Sequence, residues 1–319
     1  MRGLWGRWLA LLGRRESGEA LALFRMVTGA SLILNVAPAA LTGLVPVLWL
    51  DSAHGGYREV VGAGSWLVTA LGGVTPVTVW GLCAASLLAG GLLVAGIGSR
   101  AAALIGGQAM LAISMLNHDA KGSYDALLSN ALWLLVLADS DATGSLRSRL
   151  RAGRWWGPSS VAAWPRWLAI AQIAALYGST GLHKVSAFWQ PWGGYSALYY
   201  ILQQPTWHRF DLSFVAWVYP LTQAATAATW WWEVLWPIVP VWLALRSGTK
   251  EGRIRRLARR WDPRWVFLGY GAAMHLMIFA LMDVGPFSWI SLAFYPCLLG
   301  GAELRAIGGR LRRGGRRPG

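Results

Sequence analysis

Long apolar runs separated by short polar segments are the dominant pattern along this chain of 319 residues. A helix needs about 20 mostly apolar residues to cross the hydrocarbon core of a bilayer. Eight runs approach or exceed that length, and the third and fourth are the shortest. The pattern therefore predicts an all-α, polytopic bundle of about eight transmembrane helices. These helices are predicted at 20–48, within 66–98, at 101–117, 124–138 and 161–182, within 212–245, and at 265–282 and 284–302.

Basic residues are distributed unevenly between the two sides of this predicted bundle. If the N-terminus lies inside, 24 of the 29 Lys and Arg residues fall in inner segments and four in outer ones, with Arg25 inside the first helix. Cytoplasmic loops of membrane proteins carry such an excess. The sequence thus predicts a multi-pass protein of the cell membrane. Its N-terminal segment 1–18 and its basic tail 303–319 would both be cytoplasmic.

Composition supports a bilayer as the main partner and changes how the net charge is interpreted. Hydrophobic residues make up 55% and charged residues 13% of the chain, whereas soluble domains carry about 25% charged residues. Many of the 22 Trp stand near the ends of apolar runs, where membrane proteins place them at the headgroup level. The cytoplasmic segments account for the net charge of +15, so no nucleic-acid partner is predicted. The basic stretch 253–261 is expected to form a short helix on the inner surface, against anionic headgroups.

Repeats, long linkers and metal-ligand spacings are not found in the sequence. The chain is therefore predicted to be one domain over residues 1–319. Cys83 and Cys297 both lie in apolar runs and form neither a disulfide framework nor a zinc motif. No metal cofactor is predicted, and no catalytic triad or phosphate-binding loop is present.

Arg25 and Glu233 are charged side chains within predicted membrane helices. A charge at bilayer depth is costly unless it is paired or reaches the interface. Arg25 can extend its long side chain to the interface, or it can pair with an acid such as Glu233. Glu233 could instead balance His275, and both a structural role and proton transfer remain open for it.

A set of polar residues capable of proton chemistry falls on the predicted outer side. Asn117 and His118 follow the third helix, and His183 and Lys184 follow the fifth. A lysine near apolar surroundings can lose its proton and act as a base, and histidine titrates in the useful range. The alternative is that Lys184 simply anchors a helix end.

Several short segments resemble the membrane domain shared by vitamin K-dependent gamma-carboxylases and bacterial horizontally transferred transmembrane (HTTM) proteins. The segment Lys184-Val-Ser-Ala-Phe-Trp189 is similar to the carboxylase pattern K-L-x-A-x-W. The order of the motifs is similar over nearly the whole chain. The other segments are Leu21-Ala-Leu-Phe-Arg25, Asn117-His118, Gly194-Tyr-Ser196, His275-Leu-Met277, Gly285-Pro-Phe-Ser288 and Leu292-Ala293.

This resemblance implies a chemistry and a site. The residue matching Lys184 would deprotonate a reduced vitamin K or menaquinone-like quinone, with the residue matching His118 assisting. Oxygen would then turn the quinol into a base strong enough for carbon dioxide addition to a peptide glutamate. We expect His275, Tyr177 and Trp189 to shape the quinone pocket at the outer helix ends.

The departures from the carboxylase pattern keep other functions open. Gly194-Tyr-Ser196 comes two residues later after the tryptophan than in the carboxylases, and a short basic tail stands where they have a large extramembrane portion. One alternative is a non-catalytic or accessory membrane factor for maturation or export of a secreted peptide toxin, working with a small partner protein. A transporter is less favoured, because repeated halves with interrupted helices are not evident.

Overall fold

The computed structural model describes residues 4–57, 64–247 and 252–314. Within these ranges the chain is almost entirely helical, which confirms the all-α class. Two short strands, β1 Arg15–Glu16 and β2 Val161–Ala162, pair antiparallel. Contacts group the chain into two compact units, residues 1–169 with 285–319 and residues 170–284. The single domain expected from the sequence stays a prediction.

The first unit contains the N-terminal helices and the last two helices of the chain. The boundary between the units falls within α9 Trp164–His183. The earlier helices are α1 Leu4–Leu12, α2 Glu19–Leu41, α3 Val45–Trp49, α4 Trp66–Ala70, α5 Pro76–Ala95, α6 Ser99–Ser114, α7 Ser123–Leu137 and α8 Leu146–Ala152, with a 3₁₀ turn at Ser52–His54.

The second unit contains the rest of α9, four short 3₁₀ turns and five further helices. The turns are Ala187–Trp189, Pro191–Gly193, Pro205–Trp207 and Ser213–Val218. The helices are α10 Ala197–Leu202, α11 Tyr219–Leu235, α12 Ile238–Ser247, α13 Arg253–Arg260 and α14 Arg264–Leu281. The chain then returns to the first unit with α15 Phe287–Ala293, a 3₁₀ turn at Tyr295–Leu298 and α16 Gly301–Gly314.

Among the described residues, α2, α5 and α14 are long and apolar enough to cross a membrane. A fourth span results if the bent pair Phe287–Leu298 and Gly301–Arg310 is counted as one. The other predicted spans are shorter or less apolar; α7, for example, has 15 residues. The length and composition of the helices therefore support three to four membrane spans. The count of eight stays a prediction.

Two predicted helices have different limits in the structure. The first ends at Leu41 instead of residue 48, and the short helix α3 follows it. The eighth, predicted as continuous from 284 to 302, is broken by a bend of 108°. Pro296 lies in the 3₁₀ turn just before this bend; proline lacks the N–H that would continue the helical hydrogen bonds. Residues 1–3 of the predicted N-terminal segment and 315–319 of the predicted tail lie outside the described ranges.

Polar residues tie together segments of the first unit that are distant in sequence. The Arg166 guanidinium donates to both carboxylate oxygens of Glu16, at 2.7 and 2.8 Å, and to the Cys297 carbonyl at 2.7 Å. Bidentate arginine–carboxylate pairs are geometrically specific. The pair therefore holds β1 against the start of α9 and the 3₁₀ turn that contains Cys297.

The predicted basic helix is confirmed as α13 Arg253–Arg260. Ile254 and Leu257 on this helix are exposed. Nearby, Arg264 and Arg246 contact the Asp262 carboxylate at 2.6 and 3.1 Å, and the hydrogen bond from Arg264 lowers the pKa of Asp262. These ion pairs connect the ends of α12 and α14.

Candidate functional site

The C-terminal end of α9 packs closely against α11. A Cβ atom placed on Gly181 would lie 2.8 Å from the Val234 backbone nitrogen and 2.9 Å from Glu233 Cβ. Such distances exclude any side chain at residue 181 unless the helices move apart. The glycine therefore brings the end of α9, and Lys184 just beyond it, next to Glu233.

Lys184 and Glu233 form a partly buried pair at this helix crossing. The Lys184 ammonium donates a short hydrogen bond to Glu233 Oε2. The side chains are 18% and 7% exposed, respectively. Burial lowers the pKa of Lys184, and the Glu233 carboxylate opposes this shift without cancelling it. Both groups have thus lost most of their water, and each is the other's principal polar partner.

The loop after α9 holds Lys184 from its other side. The Lys184 Nζ lies 4.1 Å from the centre of the Trp189 ring, in the geometry of a cation–π interaction. The Gln190 side-chain amide donates to the Lys184 carbonyl at 2.8 Å. The amine thus lies between a carboxylate and an aromatic face, while its backbone is held by the same loop.

The Gly-Tyr-Ser motif closes this loop with an uncommon backbone conformation. Tyr195 has a φ of +52°, the one positive φ of a non-glycine residue within the described ranges. The Gln223 side-chain amide donates to the Gly194 carbonyl at 2.6 Å and thereby fixes the turn to α11. Residues in such strained regions persist where the surrounding structure determines them, and they concentrate at functional sites.

Tyr177 and His275 form a second polar pair, deeper in the same unit. The Tyr177 hydroxyl and His275 Nε2 are 2.6 Å apart, and both residues are buried. The Tyr177 ring lies 4.6 Å from the Trp232 ring and 5.2 Å from the Trp236 ring. The neighbourhood of Tyr177 is therefore a packed aromatic core, whereas Trp189 is the predicted pocket residue that contacts Lys184.

Asn117 and His118 belong to the first unit and have different environments. Asn117 is buried; its amide donates to the Leu48 carbonyl at 2.8 Å, and its oxygen accepts the Asp119 N–H at 2.9 Å. His118 is exposed. Asn117 thus organises the loop that carries His118.

His183 differs from its neighbour Lys184. Its side chain is exposed, and its Nδ1 lies 2.7 Å from the Ser179 carbonyl, one turn earlier in α9. This contact satisfies a carbonyl in the last turn of the helix. His183 therefore completes the helix end.

The possible charge pair between Arg25 and Glu233 stays a prediction, and each residue has another polar partner within its own unit. Glu233 contacts Lys184. Arg25, fully buried in the first unit, donates to the carbonyls of Leu93 at 2.7 Å and Gly144 at 2.6 Å. Two backbone carbonyls thus accept from the two terminal guanidinium nitrogens, while Arg25 Nε has no hydrogen-bond partner among the described residues. Arg25 joins α2, α5 and the segment before α8.

Gln190 and Gln223 support the site, and sequence reasoning missed both. Each donates a side-chain amide to a carbonyl of the loop after α9. The one sequence feature that points to Gln190 is weak: it is a polar amide directly after the motif Lys184–Trp189. Gln223 lies in α11, and its contact with Gly194 depends on how α10 packs against α11. The hydrophobic periodicity of the sequence does not specify this packing.

Together these features define an all-helical protein with three to four candidate membrane spans and a partly buried lysine–glutamate pair next to a tryptophan ring. A scan against protein-family models found no match to the chain. A search of curated proteins and a search of solved structures also found no significant match.

Proposed function

We propose that the protein is a multi-pass protein of the cell membrane with about eight transmembrane helices and both ends in the cytoplasm. Helices α2, α5 and α14 and the bent pair formed by α15 and α16 supply the spans with the strongest support. Helices α6, α7 and α9, and α11 with α12, would form the others. The distribution of basic residues, 24 inside and four outside, supports this orientation.

Cysteine labelling in intact cells is expected to place Ser123 outside and Ser247 inside. Both positions are exposed at helix ends, and both natural cysteines are buried, so the background should be low. A membrane-impermeant maleimide should therefore label Ser123→Cys in intact cells and Ser247→Cys only after permeabilisation. The reverse order would contradict the orientation.

We further infer that the protein is a quinone-dependent enzyme similar to the vitamin K-dependent gamma-carboxylases and HTTM proteins, acting on glutamate in a secreted peptide. The observation that carries this proposal is the Lys184 amine, which lies between Glu233 and the ring of Trp189. Replacing buried ion pairs by apolar residues is often neutral or stabilising. A pair retained next to a helix end is therefore a candidate for proton chemistry.

A quinol fits the surroundings of Lys184 better than it fits the aromatic core. The Lys184 side chain keeps 18% of its surface exposed, and Phe188 and Trp192 in the same loop are also exposed. A lipid-soluble aromatic ring could reach the amine along this surface. Trp189, Phe188 and Lys184 would hold it; a reduced quinone, when bound there, supplies with oxygen the strong base that carboxylation requires.

The pair can hold one proton at either of two atoms. With the proton on Lys184 Nζ the side chains form an ion pair. With the proton on Glu233 Oε2 both are neutral, and the amine has a free lone pair. Loss of water penalises the two charges and shifts the balance towards the neutral arrangement, whereas the attraction between the charges opposes this shift. In the proposed reaction Glu233 accepts the proton of Lys184, and the neutral amine then acts as the general base.

An accessory factor for maturation or export of a peptide toxin is the second candidate. The packed rings of Trp232 and Trp236 beside Tyr177 favour it, because these side chains fill the region where Tyr177 and His275 were expected to shape a quinone pocket. In this case Lys184 and Glu233 would only fasten the loop to α11. A transporter is less favoured on sequence grounds.

Mass spectrometry of a peptide substrate distinguishes these functions. The protein in nanodiscs would be given reduced menaquinone, oxygen, isotopically labelled bicarbonate and a glutamate-rich peptide encoded near it. The enzyme is expected to add one labelled carbon dioxide to each modified glutamate, and omission of the quinol is the control. A peptide that binds the protein but gains no label would contradict carboxylation and favour the accessory function.

A further inference from the structure

The first unit contains a polar cavity that the proposed chemistry does not use. Its volume is about 500 Å³, within the range of roughly 300–1,000 Å³ typical of small-molecule sites. Residues of α8 and of the segment after it form much of the wall. The polar residues on these two segments are Arg147, Ser148, Arg151, Arg154, Ser159 and Ser160.

Two arginines of this cavity are available to an anion. Asp139 and Asp141 also line it, and the Arg147 guanidinium contacts them at 3.4 and 2.6 Å. Within the described ranges, neither Arg151 nor Arg154 has a carboxylate at ion-pair distance. The three arginines and two aspartates together give the cavity lining a net charge of +1.

Hydrogen bonds hold the wall of the cavity in place. The Ser148 hydroxyl donates to the Arg154 carbonyl at 3.1 Å. Ser159 Oγ accepts the Gly18 N–H at 2.9 Å, and the guanidinium of Arg15 donates to Ser160 Oγ at 3.3 Å. The cavity is therefore formed by segments with defined partners.

Apolar side chains beside the cavity point to the membrane as the source of its ligand. Leu150 is 78% exposed, and Trp155 and Trp156 are 50% and 44% exposed. Tryptophan beside arginine is typical of the membrane–water interface. In the topology proposed above, on which this step rests, residues 139–166 lie on the cytoplasmic side. The ligand would therefore reach the cavity from the inner leaflet.

We propose that this cavity binds the phosphate-bearing headgroup of an anionic inner-leaflet phospholipid, with Arg151 and Arg154 contacting the phosphate oxygens. Guanidinium groups match phosphate geometry, and the hydroxyls of Ser159 and Ser160, which act as acceptors in the contacts above, can donate further hydrogen bonds. Leu150 and Trp155, which are exposed, would contact the acyl chains. The bound lipid would fasten α8 to the bilayer.

Native mass spectrometry of the full-length protein tests this site. The protein would be released from nanodiscs of phosphatidylcholine with phosphatidylglycerol, and retained lipid would be counted. The double variant Arg151→Gln/Arg154→Gln is expected to retain phosphatidylglycerol roughly 30-fold less tightly. The matched control is Arg149→Gln: Arg149 lies in α8 but outside the cavity lining, and its guanidinium contacts the Gly153 carbonyl.

Three results would overturn the proposal. One is equal retention of phosphatidylglycerol by the wild type and the double variant. Another is an equal loss with Arg149→Gln, which would indicate a general effect of net charge. The third is complete displacement of the lipid by inorganic phosphate, which would indicate a site for a free anion. Normal elution of each variant in size-exclusion chromatography controls for folding.

Discussion

Replacing Lys184 by arginine is expected to abolish carboxylation while leaving the amount of protein in the membrane unchanged. Arginine can keep the pair with Glu233 and the contact with the Trp189 ring, so the loop should keep its structure. A guanidinium stays protonated at accessible pH and cannot accept a proton. Loss of a general base typically lowers the rate by about 10²- to 10⁴-fold, to be measured as labelled product per protein.

Two further variants complete this test. Lys184→Ala should also be inactive, because it removes the amine. Lys121→Arg is the matched control: Lys121 is another of the three lysines of the chain, is exposed, and lies on the same predicted side. Near-full activity of Lys184→Arg would contradict the general-base assignment and would make Lys184 an anchor.

Replacing Gly29 by leucine is expected to destabilise the first unit strongly. At Gly29, α2 packs closely against α5: an added Cβ would lie 2.8 Å from both the Gly90 carbonyl oxygen and Leu93 Cβ. Close helix crossings at glycine are typical of membrane bundles. Overpacking at such a site costs about 1–3 kcal/mol and occasionally more. Thermal unfolding in detergent, followed by circular dichroism, measures the loss.

The neighbouring glycine Gly91 provides the control. Apart from its own stretch of helix, no atom of the described residues lies within 4 Å of an added Cβ there, and the residue is exposed on α5. Gly91→Leu should therefore leave the unfolding temperature unchanged or raise it slightly, since leucine has the higher helix propensity. Equal destabilisation by both substitutions would show that α5 is sensitive to added bulk in general and not specifically at its contact with α2.

The apolar pattern located several helices well and failed where local breaks interrupt an apolar run. The run predicted at 265–282 corresponds to α14, and the one at 124–138 corresponds to α7. The run predicted at 284–302 stays apolar through Pro296, although the helix bends by 108° just after the turn that contains this proline. Hydropathy reflects the free energy of transferring side chains into lipid. It does not reflect that proline lacks the backbone N–H needed to continue the hydrogen bonds of a helix.

The sequence also selected the residues of the candidate site without predicting how they pair. Lys184 and Glu233 are each conspicuous in the sequence as a charge near apolar surroundings, but the sequence leaves Glu233 open to several roles, among them a balance with Arg25 or His275. A charge in an apolar run needs a partner, and the run does not say which one. The partner depends on the rotation of α11 against α9, which the contact at Gly181 sets.

The apolar runs by themselves determine the all-helical class, because the free energy of transfer into lipid adds up along each run. Together with the uneven distribution of basic residues, they predict the membrane topology. Tertiary structure alone decided that Lys184 lies between Glu233 and Trp189, that Tyr177 and His275 join in an aromatic core, and that Arg25 binds two carbonyls. These contacts join residues distant in sequence at distances of a few ångströms. They depend on the depth and rotation of packed helices, about which hydrophobic periodicity carries too little information.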